Sequence, residues 1–120
     1  MANVLRGEID WTVGENLHTL RLSLEDLKSL QQNLNIPTLK WQEKIQDRDL
    51  GMVEIDAILT LALRRGDATH FRRPSDVAAV LEEAGFFSSL QAAINVLVES
   101  LRDPVDRKKE QEEKDATPLQ

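Results

Sequence analysis

The sequence contains no cysteine and no tyrosine, and only 4% of its residues are aromatic, three Phe and two Trp. Without cysteine there is neither a disulfide framework nor a thiolate zinc site. No apolar run approaches the roughly 20 residues needed to cross a bilayer, so no membrane partner is expected. No positively charged segment leads into an apolar stretch as in a secretory signal, and the expected location is the cytoplasm. Positive charge is also in deficit, 15 Lys+Arg against 21 Asp+Glu for a net charge of −6, which argues against general attraction to a phosphate backbone. What is present is a chain of 120 residues, 41% of them hydrophobic, enough for one sizeable core.

The apolar residues are patterned. Ile9, Trp11 and Val13 alternate with Glu8, Asp10 and Thr12, the period of a half-buried strand. Gly14, Glu15 and Asn16 read as a three-residue loop, and Leu20 and Leu22 alternate with Thr19 and Arg21 on a returning strand. Such a hairpin is marginal alone and must pack against helices or another protomer.

Helical spacing follows. Ser23 is placed to cap a helix carrying Leu24, Leu27, Leu30 and Leu34, with Glu25 and Asp26 in its first turn and Asn35 and Pro37 ending it. A shorter, weakly periodic helix carries Leu39, Trp41 and Ile45. From Met52 to Arg65 the residues Val53, Ile55, Ile58, Leu59, Ala62 and Leu63 give a broad apolar face, with Gly66 at the expected left-handed C′ position. After a loop over Asp67 to Arg73, Ser75 is the expected cap of a helix from Asp76 to Ala84, closed by Gly85. Ser88 or Ser89 is the expected cap of a last helix in which Leu90, Ile94, Leu97 and Leu101 recur at spacings of four, three and four.

The fold class expected is α+β and mainly α-helical: an N-terminal antiparallel β-hairpin over residues 4–22, then four or five short helices over 23–103. Residues 1–104 read as one domain and 105–120 as a charged flexible tail, since Asp106 to Asp115 consists only of charged residues and Gln. Ile9, Trp11, Leu20, Leu22, Leu27, Leu30, Leu59 and Leu97 are the expected core.

Sites for chemistry are sparse. His18 and His70 stand in no metal-binding spacing, and the pairs Glu25/Asp26, Asp47/Asp49 and Glu82/Glu83 read as dipole-complementing, loop and solvated acids rather than as acid–base dyads. Nucleophile-elbow and phosphate-cradle motifs are absent, so no catalytic residue, metal or cofactor is assigned and no enzyme is expected. Arg64, Arg65, Arg72 and Arg73 surround Phe71, and two helices meeting at Gly85 mimic a helix-turn-helix. The second of them, however, has no Lys or Arg between Ser88 and Ser100, so no nucleic-acid partner is expected. Arg64, Arg65, Phe71, Phe86 and Phe87 are instead candidate partner-binding residues, because aromatics beside arginine are enriched in contact centres.

The stretch Ala2-Asn3-Val4-Leu5-Arg6-Gly7-Glu8-Ile9, then Gly14 and His18-Thr19-Leu20-Arg21-Leu22-Ser23, leading into Leu27-Lys28-Ser29-Leu30-Gln31, resembles the N-terminal signature of the small tail protein family of gene transfer agents. That family is similar to the tail assembly chaperones of long-tailed phages. The helix ending Ala62-Leu63-Arg64-Arg65-Gly66 and the helix-Gly-helix segment through Leu101 fit the same pattern, so the resemblance spans about residues 2–101. Trp41 to Asp49 is more polar than the family's middle region, and the charged segment after Pro104 has no counterpart there. The resemblance implies a non-enzymatic chaperone that binds the tape-measure protein and helps recruit the tail-tube protein; the unpaired hairpin edge and the last helix are the surfaces through which a homo-oligomer is expected to form. A structural tail subunit retained in the particle is the alternative, and a helix-turn-helix-like regulator ranks below both.

Overall fold

A computed structural model describes residues 7–102. The chain runs as a hairpin of β1 (Ile9–Val13) and β2 (Asn16–Leu20), then α1 (Leu24–Leu34), α2 (Thr38–Asp47), α3 (Met52–Gly66), α4 (Pro74–Ala84) and α5 (Phe86–Leu101). This is the expected hairpin followed by five helices. Residues 105–120, read as a tail, and the expected hairpin residues 4–6 lie outside the described residues.

The hairpin pairs Ile9 with Leu20, Trp11 with His18 and Val13 with Asn16, so its loop is Gly14-Glu15, two residues rather than three. Gly14 takes φ 61° while Glu15 keeps a negative φ, the requirement of a type II′ turn, whose twist matches that of the strands it joins. Asn16 is freed from the loop to pair. Trp11, Val13 and Leu20 are buried on the inner face, and Leu17 points outward.

That inner face lies on α3, the central helix, whose Ile55, Ile58, Leu59, Ala62 and Leu63 are all fully buried between the hairpin, α1, α4 and α5. α5 closes the core from the other side with Ala93, Val96 and Leu97. Of the expected core, Trp11, Leu20, Leu22, Leu30, Leu59 and Leu97 are buried, and Ile9 and Leu27 pack half-buried against them.

Three helix boundaries differ from expectation. Gly66 is the last residue of α3 and its φ is not left-handed. It is glycine for space: a Cβ there would overlap the Thr19 carbonyl of β2, two residues before the Arg21 amide that donates to the Ala62 carbonyl at 3.3 Å. α4 starts two residues early, with Arg73 as N-cap and Pro74 at the first helical position, where a missing N–H costs nothing. Asp76 reaches back to the Arg73 amide at 3.0 Å and so does the capping assigned to Ser75. α5 starts at Phe86 with Gly85 (φ 82°) as its cap, so the two phenylalanines form its first turn. Ser88 instead accepts a hydrogen bond from Trp11 Nε1 at 3.2 Å, tying α5 to the hairpin, and Ser89 is buried.

Gly66→Ala is expected to destabilise the fold by about 1–3 kcal/mol, the cost of overpacking, although alanine is the better helix former. Urea unfolding checks this: the midpoint falls at unchanged slope, whereas a midpoint at or above wild type contradicts the close approach.

Candidate protein-binding surface

The arginines singled out by sequence are held within the fold. Ser23 caps α1 reciprocally with Asp26: the Asp26 amide donates to Ser23 Oγ at 3.2 Å and the Ser23 amide to Asp26 Oδ2 at 2.9 Å. Arg65, at the end of α3, then donates from Nε and Nη2 to both Asp26 oxygens at 3.0 and 3.1 Å. Burial alone would push the Asp26 carboxyl up, but the Arg65 guanidinium and the two Ser23 contacts outweigh it and hold the group below the ordinary carboxylate value. Asp26 is therefore more than a dipole-complementing acid of the first turn. It joins α1 to α3, and Arg65 spends its fork on that joint while leaving about two fifths of its side chain exposed.

Arg64 donates from Nε to the Phe71 carbonyl at 3.2 Å and holds the 67–73 loop against α3. Phe71, expected at a contact, is buried, with its ring edge-on to His18 at 5.6 Å. His18 also stands 6.3 Å from the Trp11 ring, so the half-buried imidazole fills a gap in an aromatic cluster. Burial lowers its pKa, against the opposing fields of Asp67 and Glu83. His70 is exposed and pairs with Asp67 at 2.7 Å. Among the described residues there is no group of three or more His, Asp or Glu able to hold a metal ion.

Phe86 and Phe87 are the sequence-assigned pair that reaches the surface, 41% and 77% exposed and edge-to-face at 5.4 Å. They mark the N-terminal end of α5. The other end carries further apolar surface: Leu24 (68% exposed), Leu39 (82%), Val98 (43%) and Leu101 (39%). Leu39, Gln42, Ile45, Val98, Leu101 and Arg102 line one hollow of about 410 Å³. Leu24, Leu27, Lys28, Gln31, Trp41 and Leu101 line a more enclosed one of about 170 Å³. Leu101 lines both, so the two hollows adjoin at the end of α5, and together they make up the apolar groove region between α1, α2 and α5. By helical rise it lies about 21 Å along α5 from Phe87.

A signal for Leu39 was present in the sequence. Residues two apart on a helix diverge by about 200°, so Leu39 and Trp41 cannot both face one core. Trp41, the larger, is buried, and Leu39 is turned outward. Leu24 and Leu101 fit their stripes in sequence and are nevertheless exposed in the fold. That depends on tertiary placement and carried no local mark.

Comparisons of the chain with protein-family models, with curated proteins and with solved structures each return no match.

Because the folded-state pKa values of both His18 and Asp26 are lowered, each contributes stability that is present above its unfolded pKa and lost as pH falls through the folded one. Stability is expected to decline in two steps, one starting below about pH 6.5 and one below about pH 3.9. Urea titrations at successive pH values should show His18→Gln flattening the first step and Asp26→Asn the second. At neutral pH Asp26→Asn is expected to cost about 1.5–3 kcal/mol, the range for a hydrogen bond to a charged group. Unchanged profiles in both variants would contradict these assignments.

Proposed function

We propose that this protein is a tail assembly chaperone of the gene-transfer-agent or prophage type, binding a long helical tape-measure protein and helping to recruit tail-tube subunits. The observation that carries the reading is the exposed apolar surface of Leu24, Leu39, Val98 and Leu101 around the hollows between α1, α2 and α5. Large apolar side chains at this exposure are the surface a protein partner covers, and a groove between helices suits an amphipathic helix. The resemblance carried by Gly7 to Gln31 adds the identity of that partner; Ala2 to Arg6 of the same signature lie outside the described residues.

Energetics favour many weak contacts over one strong one. A fully buried Leu or Val gains about 1.5–3 kcal/mol, so the four partly exposed groove side chains offer a gross gain of a few kcal/mol. Association alone costs about 4–15 kcal/mol, which leaves a single copy a weak binder. Several copies along one extended partner raise the effective concentration of each next contact, and the array holds where one molecule does not.

The DNA-binding alternative meets an obstacle in α5, the helix that would have to read bases. Its Ser89, Leu90, Ala92, Ala93, Ile94, Val96 and Leu97 are buried, and it has no Lys or Arg. A helix so placed has no cationic face to set in a major groove.

Co-expression with the longest helical protein encoded beside it, followed by affinity capture and mass analysis of purified particles, tests the proposal. A chaperone is expected to capture and solubilise that protein and to be missing from the finished particle. Stoichiometric presence in the particle would make it a structural tail subunit, and failure to capture would end the tape-measure reading.

A further inference from the structure

A two-stranded sheet has two edges, and the fold closes one of them. With a two-residue loop, Val13–Asn16, Trp11–His18 and Ile9–Leu20 are the pairs that exchange hydrogen bonds within the hairpin. The amides and carbonyls of Leu17, Thr19 and Arg21 therefore point out of the β2 edge, and those of Asp10 and Thr12 out of the β1 edge. The β2 edge meets α3, where the Thr19 carbonyl lies against Gly66 and the Arg21 amide donates to the Ala62 carbonyl. The β1 edge has no such cover: among the described residues, no hydrogen bond from outside the hairpin reaches Asp10 or Thr12, and both residues are exposed. α4 and α5 meet β1 at its turn and its inner face, where the Glu83 carboxylate lies against Gly14 and Trp11 Nε1 donates to Ser88 Oγ. Phe86 and Phe87 directly precede Ser88, so the exposed aromatic pair belongs to the turn of α5 that Trp11 holds beneath this strand.

We infer that the β1 edge pairs antiparallel with the β1 edge of a second copy of this chain, joining two hairpins into one four-stranded sheet about a two-fold axis. A row of outward amides and carbonyls is completed by another strand, and the strand that fits is the chain's own. Centred on Trp11, the pairing sets Asp10 opposite Thr12 of the second copy, so each carboxylate faces a hydroxyl. Centred on Asp10 it would set two carboxylates opposite each other, and centred on Thr12 it would carry Asp10 onto Gly14 of the turn. The axis stands perpendicular to the sheet, so both inner faces fall on one side. The two Trp11 side chains then adjoin there, and both Phe86–Phe87 pairs lie on that same side, supplying apolar area that a short ladder lacks. The last helix, the other surface the sequence offers for self-association, spends its stripe on the core: Leu90, Ile94 and Leu97 are buried. This pairing is independent of the chaperone reading.

Sedimentation equilibrium and residue-resolved amide exchange on the full chain test it. A monomer–dimer equilibrium is expected with a dissociation constant between about 1 μM and about 1 mM, the range a short ladder reaches after the cost of association. Exchange of the Asp10 and Thr12 amides is expected to slow as concentration rises, with the Leu17 amide unchanged. Thr12→Pro removes an outward amide and no hydrogen bond of the hairpin, and is expected to weaken the dimer about tenfold or more; Leu17→Pro, the same change on the opposite strand, is expected to leave it unchanged. Two variants that keep the backbone intact read the register. Thr12→Lys, facing Asp10 across the seam, is expected to tighten the dimer about three- to tenfold and Thr12→Asp to weaken it as much, whereas Leu17→Lys adds the same charge off the seam and is expected to change it far less. A chain that stays monomeric up to about 1 mM, or a dimer equally strong in Thr12→Pro, overturns the inference. Thr12→Lys and Leu17→Lys shifting the dimer alike overturns it too. Protection of Asp10 and Thr12 that arises only with the captured helical protein also overturns it, since the edge would then belong to a strand of that partner. Success or failure of capture itself bears on the chaperone reading alone.

Discussion

The close approach of α3 to β2 is the constraint on which the rest of the structure depends. A two-stranded hairpin does not stand alone in water, and here its inner face is completed by a helix whose last turn meets strand backbone. Gly66 permits the contact because its missing Cβ leaves room for the Thr19 carbonyl, and the Arg21 amide to Ala62 carbonyl bond fixes it in register. With α3 held there, Ile55, Ile58, Leu59 and Leu63 form the axis around which α1, α4 and α5 pack.

The surface follows from that arrangement. Arg65 emerges from the last turn of α3 where Asp26 presents two oxygens from the first turn of α1, and their paired hydrogen bonds set where α1 begins relative to the core. α2 lies against α5 through Trp41 and turns Leu39 to the outside, while α5 extends past the core to expose Val98 and Leu101. Leu24, Leu39, Val98 and Leu101 are thus left exposed around the end of α5. A folded protein presenting that surface is suited to holding an apolar helix, and the energetics of one shallow groove suit repeated, reversible contacts.

Much of the fold was legible because the signals are local. Alternation at Ile9, Trp11 and Val13, the Ser23 cap and the broad stripe of α3 each state their own structure. The loop length was misjudged by one residue because Asn16 is as suited to a turn as to a strand, and only the pairing of Val13 with Asn16 decides between them. Ser75, Ser88 and Ser89 are good caps by residue type, but Asp76 and Gly85 end the competition first, since Pro74 and Phe86 already have helical geometry. The site was less legible. Arg65 and Phe71 look like contact residues in sequence, and their partners, Asp26 and His18, are 39 and 53 residues away in the chain. Phe86 and Phe87, from which sequence alone expects one ring in the core and one at the surface, are both exposed, and the groove region has one local mark, the two-residue offset between Leu39 and Trp41.

Hydrogen–deuterium exchange on the full chain, free and in complex with the captured helical protein, tests the central claim most directly. The account predicts new protection over 24–31, 39–45 and 98–102, the three segments that line the groove, with 86–91 unchanged. Protection confined to 86–91, or spread along the hairpin, would contradict it.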